Sequence, residues 1–127
     1  MLWSKTYETG IREVDEQHME LFAQIDILLD RSKENRMKET LDFLEKYVIR
    51  HFDAEQGYHA RSNYPKAARH KKYHEAFVAE YKKLKDRFNS EGPSLTVHQA
   101  INKTVLGWLR EHIMTHDKEF ASYYKQQ

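Results

Sequence analysis

Apolar residues recur at helical intervals in four stretches of this chain, each interrupted by polar residues on the same stripe. The first runs from about Ile11 to Lys33, with Val14, His18, Leu21, Phe22, Ile25, Leu28 and Leu29 on one face. A polar turn, SKENR, leads to a second in which Leu41, Leu44, Val48, His51, Glu55 and His59 step by three or four. It stops near SNYP, where the residue before Pro65 is biased away from helical geometry. Pro65 suits the first turn of a third helix, whose inner face reads His70, His74, Phe77, Tyr81, Leu84 and Phe88. After NSEGPS comes a fourth, with Ile101, Val105, Trp108 or Leu109, and His112. Short loops between long helices favour antiparallel neighbours, so the pattern predicts an all-α, up-down-up-down antiparallel four-helix bundle. The first ten or so residues read as an N-terminal arm, and Phe120 to Tyr124 as a short C-terminal helix packed on the bundle. No internal repeat interrupts this, and residues 1–127 are expected to form a single domain.

Composition adds limits. Only 39% of the residues are hydrophobic and 32% are charged, so the core must be thin. With 21 basic against 20 acidic residues, net charge leaves no footprint for nucleic acid or an anionic membrane. No apolar run approaches the roughly 18 residues of a membrane span, and the polar start is unlike a secretory signal. Cysteine is absent, so neither disulfides nor thiolate ligands contribute. The expected location is the cytoplasm.

The informative residues are the polar ones on the stripes. Residues four apart in a helix lie one turn above one another on one face. His51/Glu55 in HFDAE, His70/His74 in HKKYH, and His112 with a carboxylate in HIMTHD can thus turn toward one point, joined by His18. A carboxylate inside a bundle is costly unless paired or coordinated. A single histidine on an apolar stripe is commonly a hydrogen-bonded core residue. Seven such candidates on four helices, with no obvious buried lysine or arginine to pair them, point instead to two metal ions. Imidazole and carboxylate together suit iron, manganese or zinc, and inward-facing sets of this kind build di-iron sites in helical bundles. One interval is irregular. From His112 to Asp117 is five residues, which on a regular helix turns about 140° away. Either the helix bulges near Met114–His116, or His116 is the ligand and Asp117 its neighbour.

Over nearly its whole length the chain resembles hemerythrin, specifically the stand-alone bacterial hemerythrins. The resemblance lies in an aromatic arm with Trp3 and Tyr7, then GIREVDEQH, HFDAE, a tyrosine–proline turn, HKKYH and WLREHIMTHD. It implies the ligand set His18, His51, Glu55, His70, His74, His112 and Asp117, and selects Asp117 over His116. It further implies two iron ions bridged by an oxo or hydroxo group and by Glu55 and Asp117. His70, His74 and His112 would hold one iron; His18 and His51 would hold the other, leaving it one open position. Dioxygen would bind there, making the protein an oxygen carrier, store or sensing module. Trp108, Leu109 and Ile113 fall where the family places residues lining the dioxygen pocket.

His59 departs from the pattern, because the family usually carries an apolar side chain there, often methionine. An imidazole one turn beyond Glu55 could donate a proton or act as an extra ligand. That motivates an alternative expectation: a di-iron redox enzyme that reduces peroxide, dioxygen or nitric oxide, with His59 in the catalytic role. A third is a metal-buffering or iron-storage protein. The expected partner is dioxygen, or another small diatomic or peroxide, with no nucleic acid and no membrane; a monomer is expected, since every helix has both a core stripe and a polar face. His98 and His116 have weaker claims on the site, and KENRMKE, RHKKYH and YKKLKDR read as solvated faces.

Overall fold

A computed structural model describes residues 2–127, and among them the only regular structure is helical. The long helices are α1 (Arg12–Leu29), α2 (Met37–Arg61) and α3 (Ala67–Glu91). The fourth column is built without a loop from five pieces. These are α4 (Leu95–Ala100), a π-helical stretch (Ile101–Gly107), α5 (Trp108–His112), a second π-helical stretch (Ile113–Asp117) and α6 (Lys118–Lys125). The residues flanking each junction keep right-handed helical dihedrals, so the column is continuous and α6 is its last segment. Neighbouring columns pack α1 on α2, α2 on α3, and the fourth column against α1 and α3, which is the expected bundle. Among the described residues, no helix is long and apolar enough to cross a membrane.

Local chemistry sets the boundaries. The first helix stops at Leu29, short of the expected Lys33. There the Asp30 carboxylate accepts from the Ser32 amide (3.0 Å) and hydroxyl (2.6 Å), a local bond that competes with helix continuation. A 3-10 turn (Arg31–Arg36) then carries the chain into α2. At the end of α2, Asn63 takes a left-handed φ of 54°, its amide donates to Ala60 O, and the Tyr64 amide donates to His59 O at 3.0 Å. This is the Schellman closure, with the Tyr64 ring folded back onto the His59 ring (5.1 Å). Pro65 lies in this turn, two residues ahead of α3 rather than within its first turn.

The N-terminal arm contains a short 3-10 turn (Lys5–Tyr7) and lays Leu2, Trp3 and Tyr7 against the core. Buried Asp15 ties it down, accepting from the Thr9 amide (2.8 Å), the Thr9 hydroxyl (2.7 Å) and the Gly10 amide (3.0 Å). Across the bundle, Lys66 and Arg69 flank the Glu119 carboxylate at 2.8 and 3.0 Å, joining the start of α3 to α6.

The core divides in two along the bundle axis. A large apolar cluster includes Leu21, Phe22, Ile25, Leu44, Phe77, Tyr81, Val105 and Leu109. A smaller one at the other end holds Ile11, Val14, Tyr64, Phe120 and Ala121. Between them lies a layer of buried histidines and carboxylates. In the large cluster, the buried Tyr81 hydroxyl donates to Leu41 O at 2.8 Å. Tyr81→Phe is therefore expected to cost about 1 kcal/mol, the usual net value of a neutral hydrogen bond. Urea titration would read this as a lower midpoint at unchanged slope; an unchanged midpoint would refute it.

Candidate metal centre

All four columns contribute to the polar layer. His18 comes from α1, His51 and Glu55 from α2, His70 and His74 from α3, and His112 and Asp117 from α5 and the second π stretch. Each is at most 3% exposed. Their donor atoms form two groups, each lying within 4.8 Å of one another: Glu55, His70, His74, His112 and Asp117, and then His18, His51, Glu55 and Asp117. Both carboxylates belong to both groups.

Individual oxygens show how. Glu55 Oε1 approaches His70 Nε2 (2.8 Å) and His74 Nε2 (3.2 Å), while its Oε2 turns toward His51 Nε2 (3.6 Å). Asp117 repeats the arrangement, with Oδ1 3.1 Å from both His70 Nε2 and His112 Nε2 and Oδ2 3.0 Å from His18 Nε2. Each carboxylate thus spans from the three-histidine group to the two-histidine group. The five-residue step from His112 to Asp117 is accommodated by the second π stretch, whose wide turn keeps both residues buried. His116, the alternative that spacing allowed, is only half-buried and stacks on Tyr73 at 4.2 Å.

This arrangement fits metal ions better than it fits itself. Both oxygens of Glu55, both oxygens of Asp117 and both nitrogens of His18 are buried without an aligned hydrogen bond. Each such atom costs about 1–3 kcal/mol unless something coordinates it. His70 Nε2 and His112 Nε2 also face each other at 2.9 Å, an approach that a shared cation would relieve.

The charges follow from the same crowding. Burial opposes charge on His70, but the close Asp117 and Glu55 carboxylates outweigh it and push its pKa up to about 9. His18 is likewise raised, against burial, by Asp117. Burial, reinforced by the neighbouring His18, brings His51 down to about 3. His74 is lowered by burial and by His70 and His112. Burial alone would raise Asp117, but the surrounding His112, His18 and His70 hold it well below the usual carboxylate range.

Three supporting residues were not legible as such in the sequence. The His51 Nδ1–H donates to Gln17 Oε1 at 2.6 Å, and the His74 Nδ1–H to Gln56 Oε1 at 3.1 Å. Each bond fixes the tautomer that leaves Nε2 free to face inward. Phe52 stacks on His74 with rings 3.8 Å apart and 3° from parallel. The one available signal was position, since Gln17 and Gln56 each adjoin a ligand candidate on a half-exposed face. Gln17→Leu is expected to weaken metal affinity about 10–100-fold while leaving the helical signal intact. A competition titration against a chelator checks this, and an unchanged affinity would remove Gln17 from the site.

Trp108 stacks on His112 (4.4 Å, 11°), and with Leu109, Leu21, Val48 and Phe52 it lines a small apolar cavity of about 10 Å³. Leu21 follows His18 by one turn, Val48 precedes His51 and Leu109 precedes His112 by one turn, and Phe52 stacks on His74, so the cavity lies against both donor groups. Ile113 is buried in the same core but does not line that cavity. His59 is fully buried against His70 (4.5 Å), Phe120 (4.4 Å) and Tyr64, and belongs to neither donor group. Burial and the adjacent His70 bring its pKa down to about 4. His98 lies at the far end of the bundle, 3.7 Å from Glu34.

Comparison with known proteins agrees with this geometry. Residues 9–124 match the family model described as "Hemerythrin HHE cation binding domain". The chain is 34% identical over 119 residues to a hemerythrin-like protein of Naegleria gruberi, covering 93% of this chain and 88% of that protein. It is 26% identical over 129 residues to a bacteriohemerythrin of Clostridium acetobutylicum (94% and 97% covered). A bacteriohemerythrin of Pseudomonas paraeruginosa is 28% identical over 124 residues (95% and 79% covered). A buried layer of histidines and carboxylates drawn from four helices, together with a match across nearly the whole chain, places this protein in the hemerythrin family.

Proposed function

We propose that the polar layer holds two iron ions and binds dioxygen reversibly at one of them. The observation that carries this reading is the inequality of the two donor groups. One offers three histidines and two carboxylates, the other two histidines and the same two carboxylates. The ion held by His18 and His51 therefore has one protein ligand fewer and keeps a position for a small molecule. Iron supplies the electrons that make dioxygen a ligand; the protein supplies everything else.

Glu55 and Asp117, which belong to both donor groups, would hold both ions. Gln17 and Gln56 keep His51 and His74 in their coordinating tautomers. Trp108 and Leu109 exclude water from the open side, and Ile113 closes the core behind them. A cavity of about 10 Å³ is near the lower limit for one water molecule, which favours a diatomic ligand over any organic substrate. The names of the similar proteins, hemerythrin-like protein and bacteriohemerythrin, suit the same reading.

The redox-enzyme alternative rests on His59 as proton donor or extra ligand. His59 lies against His70, in the group already supplied with three histidines, and this favours the carrier. The deciding experiment is the visible spectrum of the iron-loaded, reduced protein as air is admitted and then removed. A charge-transfer band that grows with air and fades on deoxygenation supports the carrier. Immediate conversion to a stable ferric spectrum that deoxygenation does not reverse sinks it and favours redox turnover.

A further inference from the structure

The seven residues of the polar layer are nearly fully buried, and two neighbouring grooves between α2 and α3 lead toward them, one lined by His74 itself. The other is unusual. Between the last turns of α2 and the first turns of α3 lies a groove of about 250 Å³, lined by Gln56, His59, Ala60, Ala67, Ala68 and Lys71. Three of the six are alanines, so little side-chain bulk guards it. His59 lines this groove although it is only 1% exposed, and neither of its ring nitrogens has a hydrogen-bond partner. Orphaned buried nitrogens are costly, and nothing in the packing of Tyr64 and Phe120 around the ring repays that cost. On its inner side the ring meets His70 at 4.5 Å, and His70 Nε2 is 2.8 Å from Glu55 Oε1. Gln56, in the same groove, reaches His74.

We propose that this groove is the loading port of the metal centre, and that His59 is a transient ligand passing a divalent cation from solvent to His70 and Glu55. The proposal rests on the reading that the polar layer holds metal. A hydrated ion in the groove exchanges one bound water for a His59 nitrogen. It is released from His59 as Glu55 Oε1 and His70 Nε2 take hold, the latter giving up its proton to solvent, so ligands and one proton are exchanged and no electron moves. Because His59 belongs to neither donor group, it does not compete with the final set. Lys71 is the one charged residue lining the groove and slows a cation by repulsion.

The test follows cobalt(II) uptake by the metal-free protein, using its visible ligand-field absorption after rapid mixing, with the final metal content measured separately. His59→Leu removes the transient ligand, and Ala68→Trp plugs the exposed rim without touching the core. Each is expected to slow loading at least about tenfold, equivalent to about 1.4 kcal/mol in the barrier. Release to a chelator should slow in parallel, with final content unchanged. Lys71→Glu is expected to speed loading. Ala79→Trp, in the neighbouring groove that reaches His74, should leave the rate unaltered. Wild-type rates in both His59→Leu and Ala68→Trp would overturn the port, as would slowing confined to Ala79→Trp. Failure of the wild-type protein to take up metal would instead overturn the metal centre itself, and the port with it.

Discussion

Asp117→Leu is expected to reduce bound metal from two ions per chain to one or none, whereas His116→Ala should leave both in place. The contrast follows from the oxygens of Asp117, which sit near 3 Å from three histidines spread over both donor groups. Losing it removes a donor from both groups at once and leaves Glu55 as the one carboxylate common to them. His116 is half-buried against Tyr73 and makes no such approach. Partners one shell further out are typically worth 10–100-fold in affinity, so a shared ligand should exceed that. Elemental analysis of the purified variants gives the answer directly. A metal content of two in Asp117→Leu, or a loss in His116→Ala, would reverse the assignment.

The second large effect is on stability. For each ion removed, the unfolding free energy of the loaded protein is expected to fall by about 4 kcal/mol when free metal stood near a thousand times its dissociation constant. For a chain of this size that corresponds to a fall in Tm on the order of 10–20 °C. The physical source is a set of five buried atoms, the four carboxylate oxygens of Glu55 and Asp117 and the inward Nε2 of His18, which lose the partner that satisfies them. Calorimetry before and after chelation, in the same buffer, is the check. A Tm that moves by less than about 3 °C would mean the layer is already satisfied without metal, against the argument from orphaned atoms.

The bundle was readable because its four stripes are regular and its prolines, with Gly10 and Gly92, fall at the joints. The boundaries were less so. Asp30 ends α1 through a bond to Ser32 that no periodicity reveals, and Pro65 serves the turn formed by Asn63 and Tyr64 rather than the helix after it. The set of polar residues on the inner face was legible because a charged or imidazole side chain in an apolar stripe is conspicuous. Choosing between His116 and Asp117 was not possible from spacing alone, since that depends on helix pitch, and pitch emerges from packing. Gln17 and Gln56 escaped notice for a different reason. On a helix, a residue next to a ligand points about 100° away from it, so each reads as surface until the histidine of another helix arrives beside it. Ile113 is buried on the expected stripe, but whether a residue of the right stripe lines a given cavity depends on how its neighbours pack.

The wide turn between His112 and Asp117 makes this helix unequal in its response to changes of length. Deleting one residue there, such as exposed Thr115, would shorten the five-residue step to four, which an ordinary helical turn already places on one face. Adding one would make six, about 240° around a regular helix, too far for a single wide turn to recover. The last helix is therefore forgiving of loss and unforgiving of gain at this point. Chains that diverge from this one should vary between a four- and a five-residue interval here while keeping histidine and carboxylate at its two ends.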